Sequence, residues 1–206
     1  MANRPNRKRA LLPALLLALT LGACATGGAT TRYYVLNPLP AGAEAPADTG
    51  GLSIEVASLR LPQYLERPQL VTRSADNRLE LAEFHQWGGN LRKNMSRVLA
   101  RNLSQLLATP HVAIAPNRPP TPPDARVELE VMQFERTADG RVRLTAQWRL
   151  VDTAGGRAVA TRFTELVSDT RHPEDFEGTV AAMSRLYGEL SRVIATAARE
   201  HFAAAP

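Results

Sequence analysis

The sequence predicts an α+β domain: a largely antiparallel sheet with two main amphipathic helices packed on one face. Three observations predict it. Two segments carry apolar residues at helical spacing, and residues 126–167 hold three alternating runs joined at turn residues. The order of elements is four strands, a helix, a short strand, a three-strand meander and a second helix. Helices covering one face of such a sheet bury both of their stripes. A length of 206 residues suits one domain with extensions.

The chain opens on a segment that reads as an address. Arg4, Arg7, Lys8 and Arg9 account for most of the net charge of +5, and no acid accompanies them in residues 1–23. The remaining chain is nearly neutral, so the basic excess points to targeting and away from a nucleic-acid partner. Residues 10–21 are apolar apart from Pro13 and Thr20. That run is short for a membrane span and has the length of a signal-peptide core. Leu21-Gly22-Ala23-Cys24 resembles a bacterial lipobox. The resemblance implies that residues 1–23 are a signal peptide cleaved between Ala23 and Cys24, and that Cys24 carries a diacylglycerol and an N-acyl chain. It is the single cysteine, so the mature chain forms no internal disulfide. By resemblance to Gram-negative lipoproteins, in which an aspartate at this position usually marks inner-membrane retention, Ala25 implies the periplasmic face of the outer membrane.

Residues 24–31, small and rich in glycine and threonine, predict a flexible tether, and residues 32–206 the domain. Residues 32–36 read as a short strand by aromatic and β-branched content, and 37–51 as a loop. Residues 52–59 alternate and predict a second strand. Residues 69–73 and 79–84 flank Asp76-Asn77-Arg78 as a hairpin. Over residues 89–108, Leu91, Met95, Val98, Leu99, Leu103, Leu106 and Leu107 form one stripe, with Arg92, Lys93, Arg97 and Arg101 off it. Pro110 ends that helix. Residues 112–115 predict a short strand, and 116–123, with five prolines, an extended loop. Strands over 126–136, 141–151 and 158–167 turn at Asp139-Gly140 and Gly155-Gly156. The last helix is expected from Pro173, with Phe176, Val180, Met183, Tyr187, Leu190, Ile194 and Ala197 on one seam. That seam suits packing on the sheet better than a coiled coil, because it spans only about three heptads.

The sequence offers no catalytic constellation. His85, His111, His172 and His201 lack metal-ligand spacing, and no second cysteine is present. There is no G-x-S-x-G elbow, no S-x-x-K pair and no phosphate-cradling glycine loop. The basic helix face is ordinarily a solvated one; its alternatives are contact with anionic headgroups or nucleic acid. Residues 60–73 form a proline-broken, shaped loop that carries Tyr64, Leu65 and Arg67. Pro62 and Pro68 preset its backbone, and Tyr and Arg favour interface hot spots, so Tyr64 and Arg67 are candidate partner contacts. Trp87 is balanced between that role and the core.

In order, Leu61-Pro62, Tyr64, Glu66-Arg67-Pro68-Gln69, Val71-Thr72-Arg73, Asn77, Trp87, Arg97-Val98-Leu99 and Asn102-Leu103 resemble the ABC-type transport auxiliary lipoproteins. The lipobox and Tyr33-Tyr34-Val35-Leu36 fit the same family. One departure is Gln86-Trp87-Gly88-Gly89-Asn90-Leu91, where the family has an acid and a proline; it predicts a looser helix start. The resemblance implies a non-enzymatic, cofactor-free subunit that works with MCE-type proteins, conduits for lipid between the two membranes. It would dock the distal end of the conduit, supporting envelope integrity, and a ring of protomers is compatible with that role. The alternative is a periplasmic lipid- or peptide-binding carrier, which predicts a closed apolar cavity of ~300–1,000 Å³ between sheet and helices.

Overall fold

A computed structural model describes residues 30–42, 51–117 and 121–202. The signal segment, Cys24, most of the tether and part of the proline-rich loop lie outside these. Eight strands form one sheet: β1 (Arg32–Tyr34), β2 (Ile54–Arg60), β3 (Gln69–Ala75), β4 (Arg78–Trp87), β5 (Val112–Ile114), β6 (Ala125–Arg136), β7 (Val142–Asp152) and β8 (Arg157–Val167). Among the described residues the α-helices are α1 (Leu91–Leu106) and α2 (Phe176–Phe202).

The longest ladders are antiparallel. β6 pairs with β7 and β7 with β8, which makes the expected meander, and β3–β4 is the expected hairpin. Short parallel ladders join β1 to β4, β5 to β2, and both β2 and β3 to β6. β6 is therefore the organising strand. β7 takes one of its edges; β2 takes the first half of the other, and β3 touches its last residue. Between β2 and β3 the chain leaves the sheet through residues 61–68, with a single 3-10 turn at Gln63–Leu65, and returns to the same edge.

Alternation decides the two faces of the meander. Val142, Leu144, Ala146, Trp148 and Leu150 of β7 are buried, as are Ala125, Val127, Leu129 and Val131 of β6. The α1 stripe and six of the seven α2 seam residues are buried on the same core, Phe176 being half-buried. Trp148 satisfies its indole N–H on the Thr164 hydroxyl at 3.0 Å, so a large polar-tipped ring costs the core little.

Local chemistry sets the helix ends. α1 is capped by Asn90, whose side chain accepts from the Lys93 N–H at 2.9 Å. The start that lacks the family's acid and proline is thus secured by a different residue. α2 begins at Phe176, later than Pro173 suggests, because Asp175 caps it by accepting from the Gly178 N–H at 2.9 Å.

One segment read as loop has a structural task. After β1 the chain runs along the α1–α2 pair. Leu36 N–H donates to Asn94 Oδ1 at 2.8 Å, Asn37 N–H to Ser184 Oγ at 3.1 Å, and Leu39 N–H to Asn102 Oδ1 at 2.8 Å. Buried Asn102 in turn donates to Ser191 Oγ at 3.0 Å. A Cβ on Gly188 would lie 2.6 Å from Leu39 Cδ2, so the glycine leaves room for the Leu39 side chain against α2.

Candidate docking surface

The uncovered face of the sheet holds a buried carboxylate. The apolar residues of β6 step by two as far as Val131 and then by three to Phe134, and the register shifts there. A bulge at this point re-aims the strand end. It leaves Glu135 on the face without helices, yet its side chain is 0% exposed. The 61–68 loop supplies the cover. Tyr64 Oη donates to Glu135 Oε2 at 2.8 Å, and Phe134 N–H donates to the same oxygen at 3.0 Å. Arg73 Nε donates to Oε1 at 2.9 Å, joined by Gln133 Nε2 at 3.1 Å. Four donors meet two oxygens, which is how a charge can be kept out of water.

The titration behaviour of the partners follows. Burial pushes the Tyr64 hydroxyl well above its ordinary range, and the Glu135 charge adds to that. Burial works against the charge on Arg73, but the bond to Glu135 and its charge hold the guanidinium above its ordinary value. Tyr64 is therefore a permanent donor and Arg73 a permanent cation at any physiological pH.

This arrangement places the three candidate contacts differently. Tyr64 is half-buried, with its hydroxyl committed to Glu135 and the Met132 carbonyl. Arg67 stands exposed at the tip of the same loop. Trp87, at 6% exposure, lies in the core, and its backbone N–H donates to Pro68 O at 2.7 Å. The loop is pinned at both ends, by Tyr64 and by Trp87, and presents Arg67. Glu135 and Arg73 were not singled out from sequence; the three-residue step from Val131 to Phe134 is the signal that would have found the bulge.

A second cluster closes the β1–β4 end. Tyr34 Oη and His85 Nδ1 are 2.8 Å apart, and the His85 ring stacks on Phe176 with centroids 4.0 Å apart. The Arg136 guanidinium lies over the Phe176 ring, 4.9 Å from its centroid. Burial lowers the His85 pKa below its ordinary 6.5, with the charges of Arg32 and Arg136 acting in the same direction.

The basic face of α1 borders two hollows. The larger, about 580 Å³, lies between β2 and the first two turns of α1. The smaller, about 170 Å³, lies between Tyr34-Val35, Gly88-Gly89 and α1, and shares Lys93 and Arg97 with it. Arg92 pairs with Glu66 at 3.5 Å and Arg60 with Glu130 at 3.2 Å, all four side chains well exposed. Lys93 and Arg97 have no acidic partner among the described residues. The space between sheet and helices is filled by Trp148, Tyr187, Phe134, Met95, Leu99 and Leu103, each at or near zero exposure. Among the described residues no group of three or more His, Cys, Asp or Glu side chains could hold a metal ion, and no helix is long and apolar enough to cross a membrane.

Fold and surface describe a small α+β domain whose exterior carries a pinned loop and a basic groove. The chain belongs to the ABC-type transport auxiliary lipoprotein family, whose model matches residues 34–195. It is similar to the intermembrane transport lipoprotein PqiC of Escherichia coli strain K12, at 26% identity over 135 residues, 66% of this chain and 71% of that protein. The Shigella flexneri protein of the same name matches equally. A solved structure from Xanthomonas campestris shares the fold at a TM-score of 0.65, with 15% identity, covering 84% of this chain and 98% of that one. Another shares it at 0.64, with 21% identity, covering 81% and 97%.

Proposed function

We propose that this chain is a lipoprotein anchored through acyl chains on Cys24 to the periplasmic face of the outer membrane. There its domain serves as the non-catalytic docking subunit of an MCE-type intermembrane lipid transport system. The family match across 34–195 carries this reading, and the intermembrane transport role named for the PqiC relatives supports it. The mechanism is positional. Each methylene buried in the bilayer contributes ~0.8 kcal/mol, so more than one acyl chain gives lasting attachment. A domain whose core is filled, and whose loop 61–68 is tied down by Tyr64 and Trp87, can then hold a fixed surface toward a partner.

The filled space between sheet and helices weighs against a carrier that encloses its cargo there. Replacing Cys24 with serine tests the anchor: the chain should leave the outer-membrane fraction and remain folded. Affinity purification from solubilised envelopes tests the partner, with co-recovery of an MCE-domain protein expected. Recovery of the serine variant in the outer membrane, or of the native chain without any MCE-domain protein, would overturn the corresponding half.

A further inference from the structure

We propose that the groove between β2 and α1 binds an extended acidic segment of a partner protein, which adds to the sheet as a strand alongside residues 57–60. The existence of a protein partner rests on the docking reading above; the chemistry of the groove stands on its own observations.

The first observation is an open strand edge. β5 pairs only with Ile54, Glu55 and Val56 of β2, and its last contact is Ala115 N–H donating to the Val56 carbonyl at 3.1 Å. The register of β2 shifts between Val56 and Ser58, where β5 departs. From there to Arg60, β6 holds one edge and no strand among the described residues holds the other. That free edge is a wall of the 580 Å³ hollow. Unpaired strand groups beside a helix recruit extended peptides through main-chain hydrogen bonds, with side chains supplying selectivity.

The second observation is the charge of the opposite wall. Arg92, Lys93 and Arg97 line it from α1. Helix N-termini favour acids, yet the first turn of α1 has none and carries two cations, Arg92 and Lys93. This local choice works against the helix, and such conflicts mark functional positions. Glu66 neutralises Arg92, while Lys93 and Arg97 lack an acidic partner among the described residues. The floor is apolar, from Val56, Leu59 and Ile114. A strand laid about 4.8 Å from β2 would turn alternate side chains toward Lys93 and Arg97. Acidic residues at those alternate positions complete the match.

The test uses the mature full-length chain and a fluorescent peptide of about eight residues alternating aspartate and valine. The peptide should bind saturably, and amide exchange at residues 57–60 should slow. A lysine–valine peptide should not bind. Lys93→Glu/Arg97→Glu should keep the melting temperature, lose about tenfold or more in affinity for the acidic peptide and gain affinity for the basic one. Methylating alternate peptide nitrogens should abolish binding, because strand pairing needs those N–H groups. Undiminished binding of the methylated peptide would reduce the site to a charge patch and overturn the added strand. Binding of phosphatidylglycerol-containing vesicles in place of the peptide would assign the groove to lipid headgroups and overturn the proposal. Failure with peptide, alongside intact co-purification of an MCE-domain protein, would remove this groove and leave the docking reading standing. Peptide binding without such co-purification would do the reverse.

Discussion

The two faces of the sheet achieve burial by opposite means. On the covered face, α1 and α2 lay two continuous apolar stripes over alternate residues of β6 and β7, and the burden is spread over some dozens of side chains. On the other face the carboxylate of Glu135 is sealed by a short loop and four donors: Tyr64, Arg73, Gln133 and the N–H of Phe134, with the Tyr64 hydroxyl also reaching the Met132 carbonyl. Distributed apolar burial degrades gradually when one group is removed. A buried charge does not, since each partner lost leaves an uncompensated ion. The lesson is that the loop expected to face a partner is held in place by a concentrated, buried polar cluster.

The largest expected effect breaks that cluster. Arg73→Met should cost ~3–5 kcal/mol, because Glu135 would stay buried without its cation. Arg73→Met combined with Glu135→Leu should recover most of the loss, as an apolar pair replaces an ionic one. Chemical denaturation of both variants checks this. Equal losses in single and double variant would show that the carboxylate matters through its hydrogen bonds to the loop and not its charge.

On the covered face, Leu99→Ala and Leu103→Ala should each cost ~2–5 kcal/mol, the range for truncating a fully buried leucine. Thermal melting measures it, and no change in either would mean that the stripe does not pack on this core. Tyr64→Phe should cost less, ~1.5–3 kcal/mol for one hydrogen bond to a charged group. Arg67→Ala should change stability by no more than ~0.5 kcal/mol, being an exposed residue. A drop in co-purified partner from Arg67→Ala at unchanged melting temperature would separate what the loop presents from what holds it.

The smallest effect is a pH dependence. His85 is held below its ordinary pKa, so the folded chain binds that proton more weakly than the unfolded chain does. Stability contributed by neutral His85 is therefore present above its unfolded pKa of about 6.5 and falls as the pH drops through that value. Melting temperatures of native chain and His85→Gln between pH 7.5 and about 5.5 should converge toward acid. Parallel curves would show that the Tyr34–His85–Phe176 stack does not sense protons.

Hydrophobic spacing located both helices, and together with the turn residues it located the β3–β4 hairpin and the β6–β8 meander, because both signals are local in the chain. It also separated the core residues of α1 from Arg92, Lys93, Arg97 and Arg101, all of which are exposed. Pairing partners were another matter. That β2 and β3 share one edge of β6, and that β5 abandons β2 after Val56, depends on residues 58 to 71 positions apart, and no local period encodes it. Trp87 was balanced in sequence between surface and core because an aromatic ring suits either, and only the fold put it inside. Of the strap, Leu36 read as the end of a strand and residues 37–39 as loop, since its hydrogen bonds go to Asn94, Asn102 and Ser184 on distant helices and not to a neighbouring strand. Glu135 looked like any strand acid, and Tyr64 like a free contact. A bulge and a returning loop brought them within 2.8 Å, because the burial of a charge is decided by whatever the rest of the chain lays over it.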